Sequence, residues 1–86
     1  MPHLLLLEDD PEIRLGLEQH LRREGFTICP AGTGAEALQA LKAPQAPFDA
    51  ALLDLSLPDM DGLDVLRSIR AEPQFRALPV ILVTAR

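Results

Sequence analysis

Glu8, Asp9 and Asp54 are the residues of this 86-residue chain best placed to do chemistry, and each stands just past an apolar run. Leu4-Leu5-Leu6-Leu7 leads into Glu8-Asp9-Asp10, and Ala50-Ala51-Leu52-Leu53 leads into Asp54. Val80-Ile81-Leu82-Val83 leads into Thr84-Ala85, which brings a hydroxyl instead of a charge. A short continuous apolar run reads as a strand buried on both faces. In an open parallel sheet, sites form beyond the carboxyl ends of the strands. If the three runs are neighbouring parallel strands, Glu8, Asp9, Asp54 and Thr84 converge on one small pocket. Carboxylates gathered that closely repel one another and need a cation to sit together. An all-oxygen donor set suits Mg²⁺.

The elements that must position these residues alternate strand and helix. The first strand is expected over His3 to Leu7. Asp10 reads as an N-cap, with Pro11 at the first helical position and Glu12 in the first turn. Ile13, Leu17 and Leu21, spaced by four, predict the inward face of that helix, and Gly25 its C-terminal stop. Phe26 to Cys29 is the expected second strand. Thr33 and Glu36 form a capping box that opens a second helix, with Leu38 and Leu41 inward. Pro44 and Pro47 break the chain, and Asp49 to Leu55 is the third strand. Pro58-Asp59-Met60-Asp61-Gly62 reads as a turn into a third helix, with Leu63, Leu66 and Ile69 or Arg70 at helical spacing. Asp59 and Asp61 read as helix-start residues. Pro73 ends that helix, and Pro79 starts a fourth strand that reaches Thr84. Such alternation with short connections predicts a parallel sheet, right-handed crossovers and helices on both faces.

Composition narrows the function. Hydrophobic residues make up 48% of the chain and charged residues 24%, a globular balance. Thirteen acids against eight bases give a net charge of −5, which argues against a phosphate-backbone partner for this segment. Cys29 is the one cysteine, so no internal disulfide can form, and it reads as a small semi-buried side chain. No run approaches the roughly 20 apolar residues of a membrane span, and the N-terminus lacks a signal-peptide pattern; a cytoplasmic location is the expectation. His3 and His20 pair with no acid or cysteine at ligand spacing and read as structural or surface residues.

Taken together, LLLLEDDPEIR, DAALLDLSLPDMDGLDVLRSIR and LPVILVTAR resemble the receiver domain of two-component response regulators. The three motifs occur in that family's order and spacing, and the resemblance covers essentially all of residues 1–86. It implies a flavodoxin-like, doubly wound α/β fold with strand order 2-1-3-4. The family's fifth strand and last helices, with a phosphoryl-pairing lysine, have no counterpart in these residues, so the expectation is a receiver domain incomplete at its C-terminus. Lys42, the one lysine, stands at or after the second helix and does not match that position.

The same resemblance implies the roles of individual residues. Asp54 matches the aspartate that accepts a phosphoryl group, and Glu8 and Asp9 match the acidic pair that holds Mg²⁺ together with Asp54. Ser56 matches the position whose main-chain carbonyl ligates the metal. Thr84 matches the hydroxyl that contacts the phosphoryl group and moves on activation, and Ala85 the neighbouring N–H donor. Pro58, Asp61 and Gly62 match the turn after the phosphorylated strand. The implied partner is a histidine kinase or phosphotransfer protein, docking on a first-helix face that offers Arg14, Leu15, Glu18 and Arg22. A homodimer is a further expectation, with Val80 to Val83 forming an apolar edge open to pairing. Nucleic acid would be met only through an output domain outside these residues, and the resemblance implies transcription regulation as the commonest output. The alternative function is a phosphorylation-independent interaction or dimerisation module; against it stands the complete acid-and-hydroxyl set of Glu8, Asp9, Asp54 and Thr84. An aspartate-nucleophile phosphatase is weaker still, because the residue two after Asp54 is Ser56, a poor general acid. The domain is therefore expected to signal and not to act as an enzyme.

Overall fold

A computed structural model of the chain describes residues 1–43, 47–54 and 61–83. Four strands, β1 (His3–Leu7), β2 (Thr27–Ala31), β3 (Ala50–Asp54) and β4 (Val80–Val83), form one sheet in the order β2-β1-β3-β4. All three pairings are parallel, with Leu7 opposite both Ala31 and Leu53, and Asp54 opposite Val83. Three helices connect them: α1 (Pro11–Arg23), α2 (Gly34–Lys42) and α3 (Gly62–Ala71), with a 3₁₀ turn over Pro73–Phe75 leading to β4. This is the doubly wound parallel arrangement expected from the alternation.

The side-chain alternation of the strands splits the core into two layers. Leu4, Leu6 and Ile28 form one, covered by Leu17 and Leu21 of α1. Leu5, Leu7, Ala51 and Leu53 form the other, packed against Ala37 and Leu41 of α2 and Val65 and Ile69 of α3. β1 is paired on both sides, and its four leucines are all buried. A continuous leucine run is what a central parallel strand between two helical layers requires.

The helix ends follow local chemistry. Asp10 caps α1 by accepting from the Glu12 and Ile13 N–H groups at 2.9 and 3.3 Å. Thr33 caps α2 by accepting from the Glu36 N–H at 3.1 Å. The Glu36 carboxylate reaches back to the Gly32 N–H at 3.4 Å, one residue before the position a capping box would use.

Five details differ from the sequence expectation. β2 begins at Thr27, not Phe26. Gly25 takes φ 97°, and the Gly25 and Phe26 N–H groups donate to Arg22 and Leu21. This is a Schellman closure, whose hydrophobic contact draws Phe26 onto the α1 layer beside Leu21 and out of the strand. β2 also runs on through Pro30, which an edge strand tolerates because one row of its N–H groups faces away from the ladder. In α3 the buried stripe is Gly62, Val65 and Ile69, with Leu66 beside it, whereas Leu63 is 44% exposed. At 3.6 residues per turn Leu63 points about 160° away from Val65, so the helix cannot bury both. Ile13 in the first turn of α1 is likewise exposed; Leu17 and Leu21 make the contact. The β3 strand spans Ala50–Asp54, with Asp49 outside it bonded to the His3 backbone. The expected break at Pro44 and the end of β3 at Leu55 lie outside the described residues.

On β4, Ile81 and Leu82 are 55% and 39% exposed, so among the described residues this strand is an apolar sheet edge.

Candidate functional site

The parallel register brings the ends of β1 and β3 side by side. Leu7 and Leu53 are partners, so Glu8 and Asp54 are the next residues on two adjacent strands. Their side chains therefore emerge together at the carboxyl edge of the sheet, and Asp9 follows as the chain turns toward α1. One carboxylate oxygen from each of Glu8, Asp9 and Asp54 lies within 4.8 Å of the others. Glu8 and Asp54 are only 3% and 4% exposed, while Asp9 is half-buried.

Burying acids this way has an electrostatic cost. The Glu8 carboxyl is pushed up to about 7. Burial is the largest cause; hydrogen bonding to the Asp54 and Asp9 side chains and the Asp54 charge add to it. The Asp10 N–H, which donates to Glu8 Oε2 at 3.1 Å, pulls the other way. Near neutral pH the cluster is thus poised to hold a proton where a cation would serve better. Three convergent carboxylates, which raise the proton affinity of Glu8, fit a hard divalent cation such as Mg²⁺, which supplies in one ion the positive charge they lack.

Asp10 stands next to this cluster but is turned to a different task. Its side chain caps α1, and its N–H orients Glu8. Asp61 caps α3 by accepting from the Leu63 N–H at 2.9 Å, as a helix-start residue should. His3 is at the opposite end of β1, stacked on Phe48 with ring centroids 4.5 Å apart and hydrogen-bonded through Nδ1 to Thr27. His20 is exposed in the last turn of α1. Cys29 is half-buried on β2, and burial pushes its thiol up. Among the described residues the carboxylate group that could hold a metal ion is Glu8, Asp9 and Asp54, and includes neither histidine nor Cys29. Ser56, Pro58, Asp59, Thr84 and Ala85 lie outside the described residues.

The face of α1 expected to dock a kinase is less open than its sequence implies. Leu15 is exposed, and Arg22 is paired with Glu18 at 2.8 Å. Arg14 is half-buried, and its guanidinium is turned back onto the loop after β1, where Nη1 donates to the carbonyl oxygens of Glu8 at 2.8 Å and Asp9 at 3.4 Å. The resemblance implied an exposed Arg14 on the docking face; the pull of those carbonyls turns it back. The one sequence signal for this contact is Gly32, whose missing side chain leaves the space that Arg14 fills.

Comparison with known proteins agrees with this architecture. The model of the response regulator receiver domain family matches residues 4–86. The transcriptional activator protein PfeR of Pseudomonas aeruginosa is 46% identical over 84 residues, covering 98% of this chain and 26% of its own length. The transcriptional regulatory protein AfsQ1 of Streptomyces coelicolor is 46% identical over 86 residues, covering 36% of its length. The chain therefore spans about a quarter to a third of these relatives. Among solved structures, the response regulator TrrA of Thermotoga maritima in complex with Mg²⁺ and BeF superposes with a TM-score of 0.89 at 34% identity, over 100% of this chain and 71% of TrrA. A complex of the histidine kinase ThkA with TrrA superposes with a TM-score of 0.85 at 35% identity, over 99% of this chain and 70% of that one. With the parallel order β2-β1-β3-β4, an acidic cluster at its carboxyl edge and a family match over nearly every residue, the chain belongs to the response regulator receiver domain family.

Proposed function

We propose that this domain accepts a phosphoryl group on Asp54 from a histidine kinase or phosphotransfer protein and so controls an output, transcription in the first instance. The observation that carries the reading is the convergence of Glu8, Asp9 and Asp54 within 4.8 Å, with Asp54 buried at the end of a central strand. An oxygen of the Asp54 carboxylate attacks phosphorus, and the new O–P bond forms as the P–N bond of the donor's phosphohistidine breaks. Bound Mg²⁺ would offset the repulsion between the attacking carboxylate and the incoming phosphoryl oxygens. Glu8, Asp9, Asp54 and the Ser56 carbonyl would hold it. Thr84 and the Ala85 N–H would donate to the phosphoryl oxygens without changing the charge balance. The product adds roughly 1.5 to 2 negative charges at neutral pH, by analogy with other phosphorylated side chains, enough to draw in a hydroxyl and bias a bistable loop.

The similarity to transcriptional regulators and to a regulator solved with its kinase supports this output and this partner. Receiver domains are signalling modules, and nothing in the described site calls for turnover of a substrate. No helix among the described residues is long and apolar enough to cross a membrane. The test is labelling with a small phosphodonor such as acetyl phosphate in the presence of Mg²⁺. The wild type should gain one phosphoryl group by intact-mass measurement, and Asp54→Asn none. Undiminished labelling of Asp54→Asn would place the nucleophile elsewhere.

A further inference from the structure

The β1–β2 ladder ends at Leu7 opposite Ala31, and the Glu8 N–H still donates to the Ala31 carbonyl at 3.1 Å. The carbonyl oxygens of Glu8 and Asp9 lie beyond that last rung, where Arg14 Nη1 supplies the donor, at 2.8 and 3.4 Å. Arg14 is the fourth residue of α1, and helical side chains lean toward the N-terminus, so its guanidinium returns over the loop that precedes the helix. A cation is electrostatically disfavoured at that end of a helix. The other basic residues of α1, His20, Arg22 and Arg23, are in its last turn, where the dipole favours them. Arg14 therefore sits against the dipole, held by two main-chain carbonyls.

Gly32 provides the space. A Cβ on Gly32 would lie 3.0 Å from Arg14 Nη1 and 3.5 Å from Cζ. A Cβ there is tighter than ordinary van der Waals contact, so the guanidinium must give by a few tenths of an ångström, away from the position from which it bonds the two carbonyls.

We infer that Arg14 is a positioning residue for the cation site, a fork that fixes the main chain of Glu8 and Asp9 from behind, with Gly32 as the slot that admits it. The inference rests on the reading of Glu8, Asp9 and Asp54 as the Mg²⁺ site. Its charge and its geometry act in opposite directions. A guanidinium near the acids weakens cation binding, whereas a fixed loop spares the ion the entropy of ordering its own ligands. Gly32→Ala separates the two, because it displaces the fork and leaves its charge in the protein.

The experiment is a Mg²⁺ titration of ¹⁵N-labelled protein, followed at the amides of Asp9 and Asp54, for wild type, Arg14→Ala, Gly32→Ala and the double variant. Outer-shell partners of metal ligands are worth about 10- to 100-fold in affinity; acting through the main chain, Arg14 should be worth about three- to ten-fold. Both single variants should weaken Mg²⁺ by that factor. Gly32→Ala should add nothing on top of Arg14→Ala, since the two changes break one contact. Backbone order parameters at Glu8, Asp9 and Asp10 should fall in each variant, with those of Leu5 and Leu53 unchanged. Tighter binding by Arg14→Ala, unchanged binding by Gly32→Ala, or additive effects would each overturn the assignment of Arg14 while leaving the metal reading intact. A wild type with no saturable response to Mg²⁺ would overturn both.

Discussion

Replacing Asp10 separates a helix cap from a metal ligand, two roles that three consecutive acids at the end of a strand leave entangled. Its Oδ1 accepts from the Glu12 and Ile13 N–H groups, which the first turn of α1 leaves without helical partners, at 2.9 and 3.3 Å. Truncation to alanine should cost about 1 kcal/mol for the lost cap and about 0.5 kcal/mol more for the lost negative charge at the helix N-terminus. At about 4–8 °C per kcal/mol for a domain of this size, Asp10→Ala should melt about 6–12 °C lower. Asp10→Asn keeps the accepting oxygen, and asparagine caps about as well as aspartate, so its stability should stay within about 0.5 kcal/mol of wild type. The Asp10 N–H that orients Glu8 belongs to the main chain and survives both changes. Labelling by acetyl phosphate should therefore persist in Asp10→Asn. Its Mg²⁺ affinity should move by no more than about two-fold, the effect of one salt-screened charge outside the ligand set. Thermal melts followed by circular dichroism, with labelling and titration on the same samples, give the comparison. Loss of labelling in Asp10→Asn, or an Asp10→Ala melt within a degree of wild type, would refute the division of labour drawn here.

Other substitutions and conditions test the remaining parts. Asp9→Asn should reduce the Mg²⁺-dependent shifts near Asp54, whereas identical titrations in variant and wild type would remove Asp9 from the ligand set. The Glu8 carboxyl, raised to about 7, binds a proton in the folded state that the unfolded chain has already released above its ordinary value of 4.5. Without Mg²⁺, stability should therefore fall as pH rises from about 4.5 to about 7 on account of this group, and Glu8→Gln should flatten that part of the profile. Over the same window Mg²⁺ should bind more tightly as pH rises, because it displaces that proton; an affinity independent of pH would contradict the shared-proton picture. Leu5→Ala should cost about 2–5 kcal/mol, since the side chain is fully buried in the central strand, whereas Leu63→Ala should stay within about 0.5 kcal/mol. Chemical denaturation of both variants distinguishes them, and equal losses would mean that α3 presents a different face to the sheet.

Much of this protein was legible in its sequence because local chemistry dictated it. Apolar runs of strand length, Asp10-Pro11 at one helix start, Thr33 at another and Gly25 at a helix end are interactions within a few residues, and the structure realises each of them. The identity of the acidic cluster was legible for the same reason: Glu8, Asp9 and Asp54 each follow a run that is too apolar to be anything but interior. Tertiary structure decided what depends on packing between distant segments. Which face of α3 is inward was set by the surfaces of β3 and α2, so Val65 is buried and Leu63 is not, although both fit a helical spacing. The Schellman contact with Leu21 took Phe26 from the strand that its own composition favoured. Register between β1 and β3 brought Glu8 beside Asp54 in a buried setting, and that burial, with the neighbouring Asp54 and Asp9 side chains adding to it, raises the proton affinity of Glu8. The turn of Arg14 away from solvent needed Gly32, eighteen positions further along, to leave a gap beside the loop. Periodicity reports which residues can share a face; the depth of a site and the direction of a long charged side chain follow from what the rest of the chain places against them.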